Sequence, residues 1–281
     1  MPWYDRLLSV DRRWIYLVLA VAIIIPAVWT FFVPVSVSSE VENVYEFIDT
    51  IRDGKLVYLA IDYEPSYMAE LHPMAEAILR QVFRQNGRVL AGSLSQFGPS
   101  MADELLTRIA HEMGKTYGVD YVFLGYKPYP ALTILAMGTD FRVPFPADYY
   151  GHPLDSLPLM TGVHNYSDVA GVFSLAGGTG AEYWITYGNA KYNLPLALGV
   201  TGVMAADYYP YLQSGQIFGL LPGIKGAAEY EQLAGLRGQG LRGIPYQAAA
   251  HAVVLFFIIL TNVAFFAKRA AGRRAGAESG R

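Results

Sequence analysis

Two uncharged apolar runs sit at opposite ends of this chain, and they constrain its architecture more than any other feature. From Trp14 to Val33 the sequence WIYLVLAVAIIIPAVWTFFV carries no charge, and neither does AAAHAVVLFFIILTNVAFFA from Ala248 to Ala267. At 1.5 Å per residue, roughly twenty residues cross a hydrocarbon core about 30 Å thick. Each run is therefore expected to be a transmembrane helix, over 14–34 and 248–267. Pro26 is tolerable there, because neighbouring helices can satisfy the carbonyl it frees. A cleaved signal peptide is the alternative for the first run, since Arg6, Arg12 and Arg13 precede it and small residues follow at 35–39. The apolar core of a signal peptide is only about 7–15 residues, which favours a retained span.

Charge gives the expected sidedness. The tail 1–13 carries net +1 and the tail 268–281 net +4, so a total of −3 leaves −8 for residues 14–267. Basic tails stay in the cytoplasm by the positive-inside bias, and the acidic middle is expected outside it. The acidic balance also argues against a nucleic-acid partner. Cys is absent, which removes disulfides and thiolate chemistry. Within the second span, His251 and Asn262 are eleven positions apart and share a helix face expected to point at protein, with His251 near the interface and Asn262 forming one interhelical hydrogen bond; a proton or ligand relay is the alternative.

Between the spans, residues 55–236 alternate two periodicities. KLVYLAID (55–62), RVLAGSL (88–94) and VDYVFLGY (119–126) are β-rich runs. Helical spacing separates them over 68–83 and 101–117, where Ser100 and Asp103 resemble a capping box. Strand starts 33 and 31 residues apart match a strand–helix crossover and imply a parallel sheet. The rhythm resumes with strands at 169–177, 196–202 and 216–221 and helices at 179–193, 204–212 and 224–236. The expected fold class is α/β, a doubly wound, mostly parallel sheet of Rossmann-like or flavodoxin-like type between the two transmembrane helices. Residues 35–54 read as an acidic linker expected to be partly helical from Val41 to Ile51, and the Gly-rich 237–247 as a flexible linker.

Ligands of such sheets bind outside the strand carboxyl ends. The candidate binding residues there are Asp62, Glu64, Ser93, Gln96, Lys127, Thr179 and Thr201, with Asp62 and Glu64 the sharpest acidic pair and Lys127 expected nearby. GGTGAE (177–182) superficially resembles a phosphate-cradling loop, but no Lys follows and no G-x-G-x-x-G is present; Thr179 and Glu182 instead spell a capping box. The histidines show no metal-ligand spacing, and no nucleophile elbow surrounds Ser174. No catalytic residue, metal site or cofactor is assigned.

Residues 128–168 hold six of the sixteen prolines with several aromatic residues, too aromatic for disorder. They are expected to form a docking arm, a lid or a packed insertion. Phe141, Tyr149, Tyr150, Tyr208, Tyr209 and Tyr211 are candidate interface anchors. The expected function is non-enzymatic: an extracytoplasmic domain that assembles with itself or with other membrane-complex subunits at the bilayer. The alternatives are an envelope sensor or small-solute or metal-binding module using the strand-end crevice, and a hydrolase with Asp62 as base or nucleophile.

Overall fold

Apolar runs thirty-odd residues apart, each too short to be a helix, can bury both faces only in a parallel sheet covered on both sides. The computed structural model describes residues 2–29, 33–51 and 54–279. In chain order it contains α1 (Trp3–Leu8), α2 (Arg12–Val28), α3 (Ser39–Asp49), β1 (Leu56–Asp62), α4 (Met68–Arg84), β2 (Arg88–Ser93), α5 (Gly98–Glu112), β3 (Tyr121–Tyr126) and α6 (Pro130–Met137). There follow β4 (Val172–Ala176), α7 (Gly180–Tyr183), a π-helical turn (Trp184–Asn189), α8 (Ala190–Tyr192), β5 (Leu196–Val200), α9 (Ala205–Gln213), β6 (Gly219–Pro222), α10 (Gly223–Leu233) and α11 (Gln239–Ser279). Two compact units result: 34–241, and the two termini 1–33 with 242–281.

In the first unit six strands lie in the order β3-β2-β1-β4-β5-β6, every pair parallel. The crossing direction reverses between β1 and β4, the switch point of a doubly wound sheet. Alternate residues of β1 feed two cores. Val57, Leu59 and Ile61 pack beneath α3, α4, α5 and α10, whereas Leu56, Tyr58 and Ala60 face α6, the insertion and α9. Both faces are thus dry, which is why the strands read as continuous apolar runs.

Two expectations need correction. The helix expected within the first linker is present as α3, but it is no linker: Val41, Val44 and Ile48 are fully buried, so α3 is a core helix lying on β6. Residues 237–247 are not a flexible one either, because helix begins at Gln239. The buried Glu231 carboxylate accepts from the N–H groups of Gly240 (2.9 Å) and Leu241 (2.8 Å), satisfying two of the donors a helix start leaves orphaned. A side chain at Gly238 would overlap Glu231, and one at Gly240 would meet the backbone of Ala227 and Ala228. These glycines serve close approach rather than mobility. Of the three forms expected for 128–168, the structure shows the packed insertion: Phe141, Phe145, Leu154 and Met160 join the second core, and the Tyr149 N–H donates to Phe123 O (2.8 Å), covering the open edge of β3.

Both chain exits of this unit lie at one pole. α10 runs alongside α4, with Gly223 beside Glu70 at one end and Arg84 donating to Ala234 O at the other. At that second end the Glu229 carboxylate accepts from Ser38 N, Gln232 pairs with the Val35 backbone, and Glu231 holds residues 240–241. Since α4 leads from the carboxyl end of β1 to the start of β2, this pole is the amino edge of the sheet. The carboxyl edge is clear of the chain's own exits.

In the second unit, α2 and α11 run past one another with the chain termini at the same end, where Lys268 pairs with Asp5 at 2.8 Å. Ile15 and Leu19 meet Val253, Phe257, Ile258 and Asn262 along a largely apolar groove. Asn262 donates to Ile258 O of its own helix (2.9 Å) instead of forming the expected interhelical hydrogen bond, and His251 is exposed. Among the described residues one helix, Gln239–Arg273, is long and apolar enough to cross a membrane, with mean hydropathy 2.2 in its most apolar window. α2 is seventeen residues, and the first expected span continues into 30–32, outside the described residues.

Candidate functional site

The strand carboxyl ends gather some of the candidate residues and separate others. Asp62, the last residue of β1, is 5% exposed. Its Oδ1 accepts from Leu94 N (2.6 Å), just past β2, and its Oδ2 from Trp184 Nε1 (3.0 Å), at the start of the π-helical turn. Burial pushes the Asp62 carboxyl up from its ordinary 3.8 to about 6, against those two hydrogen bonds, which favour the ionised form. Ser93 stands beside it, fully buried, donating to Ile61 O (2.7 Å). Asp62 and Ser93 therefore stitch β1, β2 and the π-helical turn after α7 together at the switch point.

Lys127 does not join them. Its ammonium lies 5.6 Å from the centre of the Phe145 ring, at the end of edge strand β3 and two strands from Asp62. The expected grouping of two carboxylates with a lysine is absent among the described residues, because the ordering of the sheet places β2 between them. Glu64 is half-buried, Gln96 and Thr179 are exposed, and Thr201 is buried at the end of β5. The side chain of Thr179 makes no cap bond, so the capping box with Glu182 does not form; nor does that of Ser100, since α5 starts earlier, at Gly98.

The glycines of the 177–180 turn have a structural reason of their own. The Tyr67 ring lies on Gly177, where any side chain would overlap it; Gly178 adopts φ +74°; and a Cβ on Gly180 would press on Ala176 at 2.9 Å. One turn further along, Glu70 Oε2 accepts from Gly202 N (2.8 Å) and sits against Gly223. Tyr67 and Glu70 thus reach from the β1 connection across the loops after β4, β5 and β6, over the crevice at the switch point. Trp184, Tyr67 and Glu70 were not candidates from sequence. Only the position of Glu70, in the first turn after a strand end, gave a signal, and it reads equally as a favourable helix-dipole charge.

Gly98 holds the other side of this edge. A Cβ there would stand 2.6 Å from Ile61 O and overlap Ser93 Oγ. Gly98→Ala is expected to cost about 1–3 kcal/mol by overpacking, read as a lowered unfolding midpoint of the detergent-solubilised chain. An unchanged midpoint would show that α5 can shift away at no cost.

Several apolar side chains are exposed at this edge of the sheet. Phe97 (48% exposed) follows β2, Tyr126 (39%) ends β3, Tyr129 (73%) follows it, and Val203 (91%) follows β5. Tyr129 is held between Pro128 and Pro130 at φ +59°, a left-handed conformation that bulky residues rarely adopt. Among the described residues the two other non-glycine residues at positive φ are Asn86 and Asn193, a residue type that tolerates it. Of the aromatic anchors expected from sequence, Phe141 and Tyr208 are buried and belong to the core. Tyr149 and Tyr150 are exposed on the insertion, and Tyr209 and Tyr211 are half-buried on α9.

Comparison with protein-family models, with curated proteins and with solved structures returns no match. The architecture and this edge therefore carry the functional argument by themselves.

Proposed function

We propose that the chain is a two-span membrane protein whose α/β domain, outside the cytoplasm, binds a protein partner through the apolar rim at the carboxyl edge of its sheet. It acts by assembly, not by catalysis. The observation that carries this reading is the rim of Phe97, Tyr126, Tyr129 and Val203, since clustered exposed apolar side chains on a folded domain mark interaction surfaces. The backbone strain at Tyr129 points the same way, because such conformations persist where a displayed side chain has a use. Two spans are supported by the apolar residues uncovered along α2 and α11, and by Asp5–Lys268 pairing at one end. The basic tails then face the cytoplasm.

The alternatives are less well supported. A solute or metal site at the switch point competes with Tyr67 and Glu70, which already lie across it. A hydrolase would need Asp62 free, whereas both its oxygens are engaged by N–H donors.

A photo-crosslinking amino acid placed at Tyr129 or Val203 in intact cells is expected to give a discrete higher-mass adduct, whose mass spectrum identifies a second copy or another membrane subunit. The same residue at Val143, exposed on the insertion, is expected to give none. Uncrosslinked monomer from all three positions would overturn the reading, as would failure of protease outside spheroplasts to cut residues 34–241.

A further inference from the structure

At the opposite pole, the amino edge of the sheet, α3 and the loops before β5 and β6 enclose a groove of about 540 Å³ that the docking rim does not involve. That volume falls within the roughly 300–1,000 Å³ of small-molecule clefts. Among the described residues its polar lining is mainly side-chain amide, from Asn43, Asn189, Asn193 and Gln216, with the Thr50 hydroxyl, Glu46 as its carboxylate and no lysine or arginine. Phe47 and Phe218, stacked at 4.3 Å between ring centres, form the aromatic part of the wall.

The hydrogen-bonding inventory leaves capacity facing the groove. Asn43 spends its amide N–H on Phe218 O (3.2 Å) and Asn189 on Leu194 O (2.9 Å), leaving both carbonyl oxygens as acceptors. The Gln216 carbonyl accepts from Ser214, leaving its NH₂ as a donor. No hydrogen bond among the described residues engages the side chains of Glu46 or Asn193. Asn193 is presented at φ +50°, at the turn into β5.

This chemistry discriminates among ligand classes. Among the described lining residues an anion would meet a carboxylate and no cation, and a hard metal ion would find one carboxylate. An apolar ligand would leave several amides unpaired, which is costly. A neutral molecule with neighbouring hydroxyls matches: each hydroxyl both donates and accepts, as amides and a carboxylate require, and the C–H face of a sugar ring packs against an aromatic wall. We propose that this groove binds a neutral carbohydrate, a pyranose unit of a glycan, by amide-to-hydroxyl pairing beside the Phe47–Phe218 wall. The site is separate from the rim, so either can fail without the other.

The test is saturation-transfer NMR and titration calorimetry on the full chain in lipid nanodiscs free of glycoside detergent, with chitobiose, cellobiose and maltose as probes and sorbitol as an open-chain polyol. At least one disaccharide is expected to bind saturably and sorbitol is not. The double variant Glu46→Ala/Asn193→Gly, both positions exposed and the glycine suited to positive φ, is expected to weaken binding at least about tenfold with the fold intact by circular dichroism. Three outcomes would overturn the assignment: no saturable binding of any disaccharide, equal binding of sorbitol, or undiminished binding by the folded double variant.

Discussion

Replacing Trp184 with Ala is expected to destabilise the α/β domain severely. The side chain is fully buried and packs against Tyr58 at 5.3 Å and Tyr166 at 6.2 Å between ring centres. Large aromatic truncations in cores cost about 3–5 kcal/mol. The variant also strips the Asp62 carboxylate of one of its two donors, and a buried carboxylate deprived of a partner adds a further penalty. Against a typical domain stability of about 5–15 kcal/mol, that loss is a large share of the whole. Trp184→Phe separates the two contributions: it keeps much of the ring and removes only the N–H, so it is expected to cost about 1–3 kcal/mol. Amide hydrogen exchange of β1 and β4 in the full chain reads both. The Ala variant should lose protection at least about a hundredfold, corresponding to roughly 3 kcal/mol, and the Phe variant clearly less. Equal losses would assign the whole effect to the hydrogen bond; no loss in either would remove Trp184 from the centre of the core.

Legibility in the sequence divides along physical lines. The strands β1 to β3 and helices α4 and α5 follow from local periodicity, because residues buried on both faces or on one helical stripe announce themselves. The parallel sheet follows from the spacing of those runs. What sequence did not give is whatever depends on distant partners. Residues 39–49 read as a partly helical acidic linker because Glu40, Glu42 and Glu46 dominate the composition; the burial of Val41, Val44 and Ile48 depends on β6, which is distant in sequence. The glycines of 237–243 read as flexible because the close approach of Glu231 and α10 is invisible locally. At the candidate site, Asp62 and Ser93 were legible from their strand-end positions. Trp184, 122 residues away, was not, and Lys127 was placed beside Asp62 only because strand order is not written in strand spacing. The exposed apolar residues of the carboxyl edge, on which docking is proposed, were missed for the same reason: Phe97, Tyr129 and Val203 lie in three separate loops until the sheet brings those loops to one edge.

Asp62 also sets an expected pH dependence, whose sign follows from the direction of its shift. Burial is the largest cause, raising the folded-state carboxyl from 3.8 to about 6, so the folded domain holds this proton more tightly than the unfolded chain. Stability then falls as pH rises from about 4 to about 6 and levels off above that, because the folded state must ionise a carboxyl that burial disfavours. The total corresponds to roughly 3 kcal/mol at 1.36 kcal/mol per pH unit. Asp148, Asp140 and Glu76 are held below their ordinary values by neighbouring hydrogen-bond donors and cations, so they act oppositely, adding stability as pH rises through the lower end of the acid range. The comparison with Asp62→Asn cancels these shared contributions. An asparagine cannot ionise, but its NH₂ must face one of the two donors, Leu94 N or Trp184 Nε1, at a cost of about 1–3 kcal/mol. The variant is therefore expected to be less stable than wild type at pH 4 and to close or reverse that gap by pH 7, as wild type alone bears the cost of a buried charge. Chemical unfolding of both proteins across this range measures the difference. A gap independent of pH would mean that Asp62 is ionised in the folded state throughout, and that hydrogen bonds from Leu94 and Trp184 outweigh its burial.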